Sequence, residues 1–129
     1  MGSVARSGMP DNVPTMRRVE KPWGYELIWA QTDRYVGKVL HVNAGQRLSL
    51  QYHEKKDETI HLWSGRLLLV VDEGNGLHER ELKPGESYHV RPLVKHRMIA
   101  ITDCDILEAS TPELDDVVRL EDAYGRTGK

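Results

Sequence analysis

Histidine, glutamine and glutamate at short separations are the first candidates for chemistry in this chain. Six histidines fall at positions 41, 53, 61, 78, 89 and 96. An imidazole can move a proton near neutral pH or offer a lone pair to a metal, yet a lone histidine more often just makes a hydrogen bond. Spacing singles some of them out. Gln51 and His53 stand two apart in a run that reads as a strand, so both side chains leave the same face. The short polar connection Glu54 to Asp57 leads to Glu58, which opens the next such run, and that run closes at Gly65. His96 follows much later, beyond the turn Pro84-Gly85-Glu86.

The elements that must position these residues are short and strand-like. Tyr25 to Trp29 is one run, and Arg34 to Val42 a second, in which Val36, Leu40 and Val42 share a face. Asn43-Ala44-Gly45 supplies a turn before Arg47 to Tyr52, and Thr59 to Trp63 ends at Ser64-Gly65. Arg66 to Asp72 is continuous and rich in Val and Leu, as a buried strand would be, and Glu73-Gly74-Asn75-Gly76 is a hairpin signal. His78 to Leu82, Ser87 to Val90, His96 to Ile101 and Asp105 to Ala109 complete the series. Only Glu113 to Asp122 is expected to add a helical turn. Strands at this spacing predict an all-β fold, closed or sandwiched and antiparallel. Residues 1–18 read as a loose N-terminal arm and 127–129 as a tail, leaving one domain over 19–126.

Composition sets the outer bounds. With 129 residues, 18 Lys+Arg against 20 Asp+Glu and 39% hydrophobic residues, the chain has the make-up of one ordinary globular domain. A formal charge of −2 argues against a nucleic-acid partner bound by bulk electrostatics. No apolar run approaches the ~20 residues of a membrane-spanning helix, and Met1 to Thr15 lacks the apolar centre of a secretory signal. The single cysteine, Cys104, makes no intramolecular disulfide. A cytoplasmic location is the expectation.

The spacing Gly45, five residues, Gln51-Tyr52-His53, four residues, Glu58, six residues, Gly65 resembles the first cupin motif. Pro84-Gly85-Glu86 with Tyr88, Pro92 and His96 resembles the second. The resemblance implies a small antiparallel β-barrel of the jelly-roll type, or double-stranded β-helix, holding one divalent metal. Its ligands would be Gln51, His53, Glu58 and His96. Most cupins have histidine where Gln51 stands, and an amide oxygen there makes a harder donor set, less suited to tuning iron redox chemistry. Zn2+ is the first expectation, with Mn2+, Fe2+, Co2+ and Ni2+ as alternatives.

Further segments narrow the resemblance. Lys21-Pro22-Trp23-Gly24-Tyr25-Glu26, Ser49 to His53 and Asp115 to Arg126 are similar to the cupin domain of type II phosphomannose isomerases, in which it follows a guanylyltransferase domain. That family follows its Gln-X-His with further histidines and an arginine, where this chain has Glu54, Lys55 and Lys56. Its glutamine after the penultimate strand is replaced by the run Glu108 to Pro112. No Gly-rich nucleotide-binding segment precedes Lys21, so GDP-mannose synthesis is not expected.

The likeness implies an aldose–ketose isomerase acting on a sugar or sugar phosphate. Such a reaction needs a base for the proton beside the carbonyl, an electrophile for the enediolate oxygen and a cation for the phosphate. Lys56, His61 and a metal-bound hydroxide are the candidates for the base. Arg119 would hold the phosphate, helped by Arg47 and Lys56. Arg97 would point to the opposite face of its strand from His96. The competing expectations are a non-catalytic, metal-dependent sugar-binding cupin, favoured by the replaced arginine and histidines, and an iron or manganese oxygenase. A homodimer is compatible with either. Trp23, Trp29 and Trp63 are expected in a core or an interface, and Cys104, between Asp103 and Asp105, is expected to have a raised thiol pKa.

Overall fold

A computed structural model describes residues 16–128. The arm expected over 1–18 therefore lies outside the described residues as far as Thr15, as does Lys129 of the tail. Eleven strands follow one another among the described residues: β1 Arg17–Lys21, β2 Gly24–Gln31, β3 Val36–Val42, β4 Leu50–Tyr52, β5 Glu58–Ser64, β6 Leu67–Asp72, β7 Leu77–Leu82, β8 Ser87–Val90, β9 His96–Ala100, β10 Cys104–Ser110 and β11 Val118–Glu121. They form two antiparallel sheets, β1-β2-β3-β10-β5-β8 and β11-β4-β9-β6-β7. The hydrogen-bond ladders stay separate, so the jelly roll is a sandwich of two sheets rather than a ring closed by hydrogen bonds.

Alternation builds the core. Leu40, Val42, Ile60, Leu62 and Ile106 from the first sheet meet Leu67, Leu69, Val71, Met98 and Ala100 from the second in one buried cluster. Tight turns hold the strands in register. Gly65 has φ +98°, and a Cβ there would come within 2.2 Å of the Asp103 carbonyl oxygen, so both the backbone conformation and the close approach demand glycine. Gly24 is constrained in the same way, with the His41 carbonyl oxygen 1.9 Å from where a Cβ would sit.

Two elements depart from the sequence reading. Residues 113–122 form no helical turn; Val118–Glu121 is strand β11, paired with β4 and bridged to Gly128 through Arg119. Pairing overrides the weak, charge-rich local pattern. Strand β1 starts at Arg17, where Arg17 faces Ile28 and Arg18 faces Leu27 in the segment assigned to the arm. Of the tryptophans, Trp23 is buried, whereas Trp29 and Trp63 are 57% and 66% exposed on the outer face of the first sheet.

Candidate metal centre

Strand register sets the candidate residues in two facing rows. Across the second sheet Arg119 lies opposite Gln51, Gln51 opposite His96, and His96 opposite Val71. Directly opposed residues share a face, so this row points inward with Val71. Across the first sheet Glu58 faces Ser110, and two residues further along Ile60 faces Glu108, which faces Lys38. The inner surface is thus apolar at one end and charged at the other. The charged end encloses a cavity of about 190 Å³ lined by Gln51, His53, Lys56, Glu58, His96 and Glu108, among others.

His53, Glu58 and His96 converge on its floor. All three are buried, and one ligand atom from each lies within 4.8 Å of the other two. Nε2 of His53 and of His96 stand 3.5 and 3.4 Å from Glu58 Oε2. The outer nitrogens explain the orientation: Nδ1 of His53 meets the Asp116 carbonyl at 2.6 Å, and Nδ1 of His96 meets the Val94 carbonyl at 2.9 Å. A carbonyl only accepts, so each Nδ1 carries the proton, and in the neutral ring Nε2 turns a lone pair to the centre. Two imidazole lone pairs and a carboxylate oxygen facing one another repel unless a cation lies between them. The same arrangement, with the second ring nitrogen fixed by a backbone acceptor, is how metal-ligating histidines are held. The donor set fits a divalent ion.

Lys56 completes the floor. Its ammonium lies 3.1 Å from Glu58 Oε1 and 3.0 Å from Glu108 Oε2, so it occupies the Glu58 oxygen that faces away from the histidines. Burial would lower the Lys56 pKa, but the charges of Glu108 and Glu58 outweigh it and raise it. Burial would raise Glu58, but hydrogen bonds from His53 and His96 when a proton stands where the ion would, together with the Lys56 charge, hold it well below the usual carboxylate range. Glu108 is different: burial, then the Glu58 charge, raise it against the pull of Lys56 and Lys38. Lys38 also bonds Glu26 at 3.2 Å, so the wall carries an alternating chain of buried charges.

Asp116 anchors the loop that carries His53 into the site. Its carboxylate accepts the backbone N–H groups of Glu54 at 3.0 Å, Lys55 at 2.6 Å and Lys56 at 2.8 Å. Burial opposes ionisation, but these three bonds prevail and lower its pKa to about 2. One residue therefore caps the loop with its side chain and orients His53 with its carbonyl.

The residues singled out in the sequence divide accordingly. The structure brings together His53, Glu58 and His96, with Lys56 on the same floor and Gln51 and Arg119 on the same wall. Gln51 donates weakly to the Ser49 carbonyl at 3.5 Å. His61 is elsewhere: it lies on the outer face of β5, where its Nδ1 contacts Ser87 Oγ at 2.8 Å. The parity of the strand explains this, since three residues from inward-facing Glu58 is an outward position. Arg47 pairs with Ile99 outside β4 and does not line the cavity. Lys56 lies between two carboxylates, whose charges raise its pKa and oppose its acting as a base. Arg97 turns away, as expected, to the Leu48 carbonyl and Glu121. Cys104 is buried, and burial, then Asp105 and Asp103, push its thiol up to about 11. Sequence reasoning missed Asp116, which lies in the segment expected to add a helical turn, and the cavity-lining Lys21 and Arg126.

Fold and site together define a jelly-roll domain with a buried His–Glu–His group able to hold a metal ion. The chain belongs to the cupins: the family described as "Cupin domain" matches residues 38–109. Among curated proteins it is 33% identical over 116 residues to a mannose-1-phosphate guanylyltransferase of Escherichia coli, covering 85% of this chain and 23% of that protein. It is 30% identical over 116 residues to the alginate biosynthesis protein AlgA of Pseudomonas aeruginosa, covering 86% of this chain and 23% of that one. The chain thus spans about a quarter of the length of these relatives. Among solved structures it resembles KdgF from Halomonas sp., with TM-score 0.67, 18% identity and coverage of 81% of this chain and 92% of that one. It also resembles oxalate decarboxylase from Bacillus subtilis, with TM-score 0.71, 13% identity and coverage of 81% and 30%. These two likenesses speak to the fold.

Proposed function

We propose that this cupin is a metal-dependent aldose–ketose isomerase of the phosphomannose isomerase type, acting on a sugar or sugar phosphate. The observation that carries the reading is the His53–Glu58–His96 group, with both histidines presenting Nε2 to one point in a cavity. The curated relatives, one of them named for mannose-1-phosphate, support a sugar ligand. His53, Glu58 and His96 would hold the ion, with Gln51 beside them, and Zn2+ is the expected metal. When bound, it supplies Lewis acidity to a carbonyl or enediolate oxygen. Lys56, kept protonated, offers a hydrogen bond and positive charge to a developing oxyanion. Glu108 is a cavity carboxylate outside the ligand group, as are Glu26 and Asp115, and its raised pKa suits it to accept the proton from the carbon beside the carbonyl.

One observation favours a second reading, a sugar-binding cupin without turnover. Lys56 and Glu108 are already ion-paired at 3.0 Å, which engages the Glu108 carboxylate. Proton NMR in D2O with mannose 6-phosphate and then other aldose phosphates, with and without chelator, separates the two. Chelator-sensitive deuterium entry at C2 is the expected result. Binding without exchange, by protein that still carries its metal, would leave the sugar-binding reading in place.

A further inference from the structure

We propose that the rim of the cavity is an anion site, built by Lys21, Arg119 and Arg126, that holds a phosphoryl or carboxylate group at one end of the ligand. The proposal deepens the reading above and rests on it only for the ligand's metal-facing end. Charge partition is the first argument. The inner lysines are neutralised at short range, Lys38 by Glu26 and Lys56 by Glu58 and Glu108. At the rim the balance differs. Lys21 from β1 and Arg119 from β11 line the cavity without an ion pair among the described residues. Arg126 is a third cation there, and Arg17 and Asp115 line the same cavity. Its guanidinium is gripped by the buried Asp122 carboxylate through Nε at 2.8 Å and Nη2 at 3.1 Å, which fixes its direction and leaves Nη1 free of that grip.

The three cations also strain one another. Burial, then the Arg126 charge, lower the Arg119 pKa, with Asp122 opposing. Burial lowers Lys21, Glu26 partly offsets it, and Lys38, Arg119 and Arg126 lower it further. A bound anion relieves this repulsion and turns a cost into attraction. The wall leading inward is suited to a ligand. Ser49 is 1% exposed and lines the cavity, and its hydroxyl has no hydrogen-bond partner among the described residues. Arg119, Gln51 and His96 sit on three adjacent strands, which at about 4.8 Å per strand sets the rim about 10 Å from the His96 backbone. A ligand with a short carbon chain, anionic at one end and carrying oxygen at the other, spans that interval. Its anionic end is held by residues from both ends of the folded chain.

Calorimetric titration of the full chain with inorganic phosphate and, separately, with malonate tests this, with and without prior chelator treatment. Saturable phosphate binding is expected in chelator-treated protein, weakened at least about tenfold by Arg119→Gln and by Lys21→Gln and unchanged by the surface variant Lys83→Gln. Tighter phosphate than malonate identifies a phosphoryl end, and the reverse a carboxylate end. Should Arg119→Gln fail to fold, Lys21→Gln carries the test, since the Lys21 side chain makes no hydrogen bond or ion pair among the described residues. Neither anion binding, or binding indifferent to both substitutions, overturns the proposal. So does binding seen only in the metal-loaded chain, which would place the anion on the ion. Phosphate held by a chain that binds no metal would instead sink the metal reading and leave the anion site standing.

Discussion

Replacing Asp116 by alanine removes a carboxylate that gathers three consecutive backbone N–H groups and, through its own carbonyl, aims His53. The two roles separate, because Asp116→Ala deletes the side chain and keeps the carbonyl. Hydrogen bonds to a charged acceptor contribute about 1.5–3 kcal/mol each when intact, but the freed N–H groups of exposed Glu54 and Lys55 regain water, so the net loss is expected at about 2–3 kcal/mol. Part of it must depend on pH. The carboxyl has a pKa of about 2 in the folded chain against 3.8 ordinarily, so its charge stabilises the fold fully above 3.8 and loses that effect as pH falls toward 2. Discounted for solvent screening, this component is about 1–2 kcal/mol. Urea unfolding of wild type and variant at several values between pH 2 and pH 6 isolates it, because the other carboxyls titrate in both proteins and cancel in the difference. The stability gap should widen from pH 2 to pH 5 and then level off. Asp116→Asn should behave like alanine, since an amide offers one acceptor oxygen and a nitrogen that opposes the loop donors. A gap that is flat with pH, or an asparagine variant as stable as wild type, would refute the assignment of Asp116 as the anionic cap of this loop.

Three further outcomes follow from the geometry. His53→Ala and His96→Ala should each abolish stoichiometric metal uptake measured by elemental analysis, while His78→Ala, on the outlying strand β7, should keep it. Lys56→Met should weaken metal affinity by roughly 10–100-fold in a competition titration with a chromophoric chelator, with recovery in Lys56→Arg, because Lys56 holds the Glu58 oxygen not facing the histidines. Equal affinity in all three proteins would deny Lys56 that positioning role. Gly65→Ala should cost at least about 2 kcal/mol in denaturant unfolding, since it meets both a positive φ and a backbone oxygen 2.2 Å from the new carbon.

The fold was largely legible because most strands alternate cleanly and are punctuated by Gly, Pro or Asn turns. The two that escaped lack that signal. Arg17–Lys21 contains one apolar residue, and Val118–Glu121 is short and half charged, so each owes its strand form to a partner across the ladder. Gln51 and His53 stood out because a two-residue spacing puts both on one face, and His61 could have been set aside by the same parity. What no local pattern shows is convergence over long separations. Asp116 reaches residues 60 to 62 positions earlier, and Lys21 meets Arg119 and Arg126 only once the first and last strands close on one cavity. Lys56 belongs to the short polar connection Glu54 to Asp57, yet it is 4% exposed, because Glu58 and Glu108 supply in the interior the partners that water supplies outside.

Buried charge at one end of an otherwise apolar sandwich also makes a statement about stability. Glu26 and Lys38 are both buried and bonded at 3.2 Å, with Glu108 3.8 Å from the same ammonium. Desolvating such a pair offsets most of its attraction, so an apolar replacement of similar volume is commonly neutral or stabilising, whereas removing one partner strands a charge. Lys38→Met alone should therefore destabilise by about 3–5 kcal/mol, and Glu26→Leu with Lys38→Met should restore wild-type stability or exceed it by about 1–4 kcal/mol. Denaturant unfolding of the four proteins of this cycle gives the coupling directly. If the double variant is more stable but loses ligand binding or turnover, the pair serves the cavity at the expense of the fold. A double variant as unstable as Lys38→Met would instead show that the ion pair supports the sandwich itself, and the division of the interior into an apolar half that folds and a charged half that acts would fail.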